Sequence, residues 1–127
     1  FPAAITTRAI RAVKNGGPLE IWGDGSQVRG YFHVEDAVDK IVRIMTEPYE
    51  GPVNVTSREV ASCIEVARMV LDILDADVPL RFVDGPTGPM HRHVSNEKWE
   101  RVYGPDTSRT MRQAFEDFVD AIERPLI

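Results

Sequence analysis

Two arginines stand in the kind of backbone that can bind an anion. Arg29 closes the stretch GDGSQVR, residues 23–29, and Arg92 closes GPTGPMHR, residues 85–92. A guanidinium presents a planar fork of donors that fits phosphate oxygens, where lysine presents a point charge. Glycine-containing loops let backbone N–H groups approach the same anion. If the fold carries both loops to one rim, the pair could clamp a diphosphate. Otherwise they are two solvated loop arginines.

Other chemistries find less support. The three histidines, His33, His91 and His93, lack any cysteine pair or HExxH spacing that would mark a metal site, so they read as ordinary loop and strand residues. No GxSxG elbow is present. No tyrosine is followed four residues later by lysine, so that proton relay is missing. Gly23-x-Gly25 is too short for a dinucleotide fingerprint, and its context is strand to strand rather than strand to helix. No catalytic, cofactor-binding or metal-ligating residue is therefore expected. The single cysteine, Cys63, lies in the helical pattern SCIEVARMVLDIL and reads as a buried structural thiol. It cannot form an internal disulfide, which makes a reducing, cytoplasmic setting the default.

The chain has 127 residues, enough for one domain with its own core, which 43% hydrophobic residues make feasible. A net charge of −5 argues against a general nucleic-acid or anionic-membrane binder, because phosphate backbones need clustered positive charge. It leaves room for one local cationic pocket. No apolar run approaches the roughly 20 residues of a membrane helix.

The elements that would position the arginines follow from periodicity. Residues 3–14 read as a helix, with Pro2 in the first turn and Asn15-Gly16-Gly17 as the stop. A short strand over residues 19–22, the turn GDGS and an extended piece over residues 28–32 come next. Residues 34–46 form an amphipathic helix whose apolar stripe is Val34, Val38, Ile41, Val42 and Met45, ended by Pro48 and Gly51-Pro52. VNVT, residues 53–56, has the look of a buried parallel strand. Ser62 and Glu65 fit a capping box for the following helix. A strand at 80–83, a Gly/Pro loop at 84–93, a short helix capped by Ser95 and a last helix over 110–123 complete an α/β order of few short strands and about five helices.

WGDGSQVRGYFHVEDAV, residues 22–38, resembles the extended short-chain dehydrogenase/reductase family of nucleotide-sugar epimerases and dehydratases. The pattern is Gly23-Asp24-Gly25, Arg29, Tyr31-Phe32, the helix start Val34-Glu35-Asp36, and Val53-Asn54-Val55. PAAITTRAI at the start, the helix after VNVT and GPTGPMHRHVSNEKWERVYGP continue the likeness over nearly the whole chain. The resemblance implies that Arg29 and Arg92 contact the substrate's diphosphate from opposite loops. It implies that the stretch ending at Trp22 runs beside the nucleotide base, that Gln27 is a further substrate contact, and that Asn54 sits in a strand joining the main sheet. It favours a GDP-linked sugar. NAD would belong to the parent enzyme and would not be bound by this chain, because the family's Rossmann cofactor domain and its catalytic residues lie upstream.

Several positions depart from the pattern: Thr56 replaces a glycine, Ser95 stands near an expected aspartate, and Tyr103-Gly104 lacks a tryptophan. The chain also opens at Phe1 inside helical sequence. Residues 1–127 are thus expected to be a single carboxy-terminal substrate-binding domain and a fragment of a longer enzyme, incompetent in catalysis alone. The competing reading is a stand-alone, non-enzymatic binding or assembly module whose exposed apolar surface is covered by the missing cofactor domain or by self-association.

Overall fold

A computed structural model describes residues 1–47 and 49–124. In chain order these form α1 (Pro2–Asn15), β1 (Leu19–Trp22), β2 (Val28–Gly30), α2 (Val34–Thr46), β3 (Val60–Ser62), α3 (Cys63–Ile73), β4 (Leu80–Val83), β5 (His91–Arg92), α4 (Glu97–Tyr103) and α5 (Met111–Glu123). Pro48, expected to help end α2, lies outside the described residues.

Local chemistry explains most boundaries. α1 starts on Pro2 and ends where Gly16 turns left-handed at φ 71° and donates its N–H to Ala12 O. α3 opens on the Ser62–Glu65 capping box and α5 on a second one from Thr110 and Gln113. Ser95 Oγ accepts from Glu97 N at 3.2 Å, but the residue capping α4 is Asn96, with no side-chain cap bond.

The core lies where α1, α3 and α5 meet β1. Ile5 and Ala9 of α1, Leu19 and Ile21 of β1, Val66 and Val70 of α3, and Met111 and Phe115 of α5 are buried together. Tyr31 packs its ring edge-on to Phe115 at a centroid distance of 5.9 Å. Two small sheets flank this core. β1 and β4 pair in parallel, Trp22 opposite Val83. β2 is the centre of a three-stranded sheet, antiparallel to β3 and parallel to β5.

Two readings of the sequence need correction. Residues 53–56 form no strand; Asn54 Nδ2 instead donates to Ser95 O at 3.1 Å and Thr56 O accepts from Lys40 Nζ at 3.0 Å. Neither small sheet takes it up: one is β1 with β4, the other β3, β2 and β5. β3 and β5 went unseen because strands of three and two residues carry no periodicity; they exist through pairing with β2. The apolar stripe of α2 faces outward: Val34, Val38, Ile41, Val42 and Met45 are between 49% and 76% exposed. The residue α2 buries is Lys40. Its ammonium meets Asp106 Oδ2 at 2.7 Å and lies between the rings of Phe32 and Trp99, at 4.9 Å and 4.8 Å from their centroids. This polar seat turns the helix over, so the stripe is an outer surface.

Candidate functional site

The turn between β1 and β2 sets the geometry. Asp24 Oδ1 accepts from Ser26 N at 3.0 Å and from Ser26 Oγ at 2.6 Å. These bonds hold the Asp24 carboxyl below the usual carboxylate range. Gly25, at φ +73°, lies where a Cβ would stand 2.5 Å from Ile64 Cγ1. The turn is therefore packed on side chains of α3 and links two strands. It offers no open glycine cradle to a pyrophosphate.

Beyond this turn α1, β1, β2 and the loop after β4 enclose a cavity of about 720 Å³. Arg8 and Arg11 reach it from α1, Arg29 from β2, and Trp22 from the end of β1. Tyr31, Cys63 and Thr87 also line it. Among the described residues no aspartate or glutamate lines it. In a chain of net charge −5 this is a local concentration of positive charge in a concave, partly aromatic setting.

Arg29 is fixed by backbone. Its Nη1 donates to Val28 O at 2.8 Å and Met90 O at 3.3 Å, and its Nη2 to Thr87 O at 3.4 Å. Three of its five N–H donors are thereby engaged and two remain for a ligand. Arg92 is its register partner across β2 and β5. Neighbouring strands are about 4.8 Å apart and register partners share a face, so the two arginine side chains leave the sheet side by side. Arg92 is exposed and is not among the described residues lining the cavity.

Trp22 is 48% exposed, and the Arg8 guanidinium lies 5.5 Å from its ring centroid. Arg8 Nη1 also donates to Glu20 O at 3.2 Å. Gly85 backs the indole: a Cβ there would stand 2.9 Å from Trp22 Cγ. Gln27 does not reach the cavity. It is buried under the turn, its backbone oxygen accepting from Cys63 N at 3.1 Å. Of the four residues singled out in the sequence, the fold brings Arg29 and Trp22 to one cavity, Arg92 beside Arg29, and Gln27 beneath.

Arg8 and Arg11 were missed. Their signal is spacing: three residues apart, they share one face of α1. Cys63 and Tyr31 are both held toward their protonated forms. Burial pushes the Cys63 thiol up, although Arg29 pulls the other way. Burial also raises the Tyr31 hydroxyl, with Cys63 adding to the shift. The histidines stay apart in role, His33 against Arg109 at the start of α2 and His91 on β5. Among the described residues no three His, Cys, Asp or Glu side chains could hold a metal ion. No helix among them is long and apolar enough to cross a membrane.

A second cavity, of about 660 Å³, opens between α3 and β4. Asp72, Asp75 and Asp77 line it beside the single cation Arg68. Its charge disfavours a phosphate, so the arginine-lined cavity is the better site for an anion.

Residues 1–56, which contain α1, β1, β2, α2 and the cavity's lining except Cys63, Pro86 and Thr87, match the family described as NAD dependent epimerase/dehydratase. Over this stretch the chain is similar to that family. A curated relative, GDP-mannose 3,5-epimerase of Arabidopsis thaliana, is 32% identical over 95 residues, covering 75% of this chain and 24% of the relative. Among solved structures, GDP-L-fucose synthetase from Naegleria fowleri bound to NADP superposes at a TM-score of 0.83 with 20% identity, over 94% of this chain and 37% of that one. MoeE5 in complex with UDP-glucuronic acid and NAD gives a TM-score of 0.76 with 25% identity, over 99% and 43%. The fold is that of one part of an extended short-chain dehydrogenase/reductase, and the chain spans well under half the length of these relatives.

Proposed function

We propose that residues 1–127 are a single domain, the nucleotide-sugar-binding portion of an NAD-dependent epimerase/dehydratase. The observation that carries this reading is the cavity with three arginines and no carboxylate in an acidic chain. Arg29 holds the diphosphate with its two remaining donors, and Arg92 approaches the same group from the adjacent strand. The exposed indole of Trp22 supplies a stacking face for the base, with Arg8 beside it. Gln27 acts from below by holding the turn. A GDP-linked sugar is the favoured substrate, supported by the likeness to GDP-mannose 3,5-epimerase. NAD is the parent enzyme's cofactor and is held by another part of it. This chain's contribution is binding and orientation; it carries no proton-transfer pair of its own. The reducing cytoplasm is its proposed compartment, in keeping with the single thiol.

The outward stripe of α2 supports a partner. In this reading the cofactor-binding portion covers Val34, Val38, Ile41, Val42 and Met45. The same stripe supports a second reading, a non-enzymatic module that covers it by self-association. Sedimentation separates them: a concentration-dependent dimer that Val38→Glu abolishes favours self-association, and a monomer at all concentrations opposes it.

Calorimetric titration with GDP-mannose tests the binding role. Arg29→Gln removes charge-assisted bonds of about 1.5–3 kcal/mol, so affinity falls about ten- to a hundred-fold. UDP-glucuronate binding more weakly than GDP-mannose supports the GDP preference. Equal affinity of the wild type and Arg29→Gln overturns the proposed role of Arg29.

A further inference from the structure

The arginines that line the cavity between α1, β1 and β2 are engaged to different degrees. Arg29 gives three donors to backbone carbonyls. Arg8 donates Nε to Ala4 O at 3.2 Å and Nη1 to Glu20 O at 3.2 Å, and its guanidinium lies over the Trp22 ring. Arg11 is exposed, and its guanidinium meets no hydrogen-bond or ion-pair partner among the described residues. All five of its N–H donors are open to a ligand. It follows Arg8 by three residues in α1, which sets their Cβ atoms about 5–6 Å apart on one face.

The arginines also lie in order along the cavity. Tyr31 follows Arg29 by two residues, the spacing that puts strand side chains on one face. Its ring stacks on Phe1 at a centroid distance of 5.8 Å, which places Arg29 near the amino-terminal end of α1. An α-helix rises about 1.5 Å per residue, so Arg11 lies about 15 Å beyond Phe1 along the axis of α1. A diphosphate held at Arg29 leaves the other end of the cavity, with Trp22, Arg8 and Arg11, to the nucleoside.

We propose that Arg11 selects guanine, its guanidinium donating as a fork to O6 and N7 of a base stacked on Trp22. The selection rests on the nucleotide reading of this cavity and adds to it the residue that chooses the base. Guanine carries two neighbouring acceptors, O6 and N7, that match the fork. Adenine sets the N6 donor beside N7, and a pyrimidine offers either a lone O4 acceptor or the N4 donor, so each of them leaves part of the fork unpaired. Arg8 is a poor reader, because Ala4, Glu20 and the indole already fix it. It serves instead as a rigid side wall for the base, with Arg11 one turn farther along the same helix face.

Calorimetric titration of the whole chain with GDP, 7-deaza-GDP and inorganic pyrophosphate tests it. The 7-deaza base has a C–H where guanine has N7 and carries the same charge. The wild type binds GDP about ten-fold more tightly than 7-deaza-GDP, the effect of one charge-assisted hydrogen bond. Arg11→Ala, at an exposed position that alanine keeps helical, lowers GDP affinity about ten- to a hundred-fold. It also removes the difference between the two nucleotides. Pyrophosphate affinity changes by less than about two-fold, since 0.15 M salt screens charges more than about 8 Å away. Equal affinity of the wild type for GDP and 7-deaza-GDP overturns the proposal, as does a difference that survives in Arg11→Ala. A loss of pyrophosphate binding as large as the loss of GDP binding also overturns it, because Arg11 is then a general anion contact. If the wild type binds none of the three ligands, the nucleotide reading of the cavity fails, and the selection of guanine fails with it.

Discussion

Removing the charge of Asp106 should cost this fold more than removing the charge of Lys40, although the two form one buried pair. Four bonds reach the carboxylate: Lys40 Nζ at 2.7 Å, Asn96 Nδ2 at 2.9 Å, Ser108 N at 3.0 Å and Ser108 Oγ at 2.6 Å. Without Lys40, three donors still satisfy it. The ammonium is served differently, by Asp106, by Thr56 O at 3.0 Å and by Asn96 Oδ1 at a long 3.5 Å. Without the carboxylate a buried cation remains between two aromatic rings with one good neutral acceptor. In Asp106→Asn the one amide oxygen can keep Lys40 and Asn96 Nδ2, which share Oδ2, but as a weaker neutral acceptor, and the amide NH2 then faces the Ser108 N–H. The cost is about 3–5 kcal/mol, the usual penalty for breaking a buried pair, and a large part of a total stability of about 5–15 kcal/mol. Lys40→Met keeps a flexible chain between Phe32 and Trp99 and costs about 1–3 kcal/mol. Trp99 is 3% exposed and Trp22 is 48% exposed, so urea titration followed by Trp99 emission in a Trp22→Phe background reads the transition. If Lys40→Met proves as costly as Asp106→Asn, the donor count is the wrong basis for ranking these two groups.

Burial alone would raise the Asp106 carboxyl, but the donors from Lys40 and Ser108 outweigh it and hold it below the usual range. A carboxyl depressed in the folded state stabilises above its unfolded value of about 4 and loses that contribution as pH falls through the folded value. The urea midpoint should therefore carry an Asp106-dependent fall below about pH 4, absent in Asp106→Asn; a fall complete by pH 5 contradicts this. Phe115→Ala empties the centre of the core and should cost about 3–5 kcal/mol by urea titration with an unchanged m-value. Gly85→Ala places a methyl 2.9 Å from Trp22 Cγ, so Trp22 emission should shift in a Trp99→Phe background while stability moves by about 0.5 kcal/mol.

How far the sequence discloses this molecule depends on whether a contact is local. The capping box of α3 and the stop of α1 are written in neighbouring residues, and the helices follow them. β3 and β5 depend on β2, a partner far away in the chain, and leave no local trace. Which way the stripe of α2 faces is a non-local matter. Its stripe has the period of a core face, yet Lys40 finds Asp106 across 66 residues and seats the helix the other way. The site divides in the same manner. Arg29 and Trp22 stand out beside glycines, whereas Arg8 and Arg11 on a regular helix gain meaning only when α1 packs beside β1. Gln27 sits one turn from the cavity and below it, an outcome that spacing along the chain does not encode.

The central claim is that a nucleotide diphosphate occupies the cavity between α1, β1, β2 and the loop after β4. Two-dimensional NMR of the labelled chain, titrated with GDP, tests it most directly. The account predicts saturable shifts concentrated at Arg8, Trp22, Arg29 and Thr87, with Kd below about 1 mM. Shifts gathered at Arg68, Asp72 and Phe82 in the other cavity, or none at millimolar GDP, would contradict it.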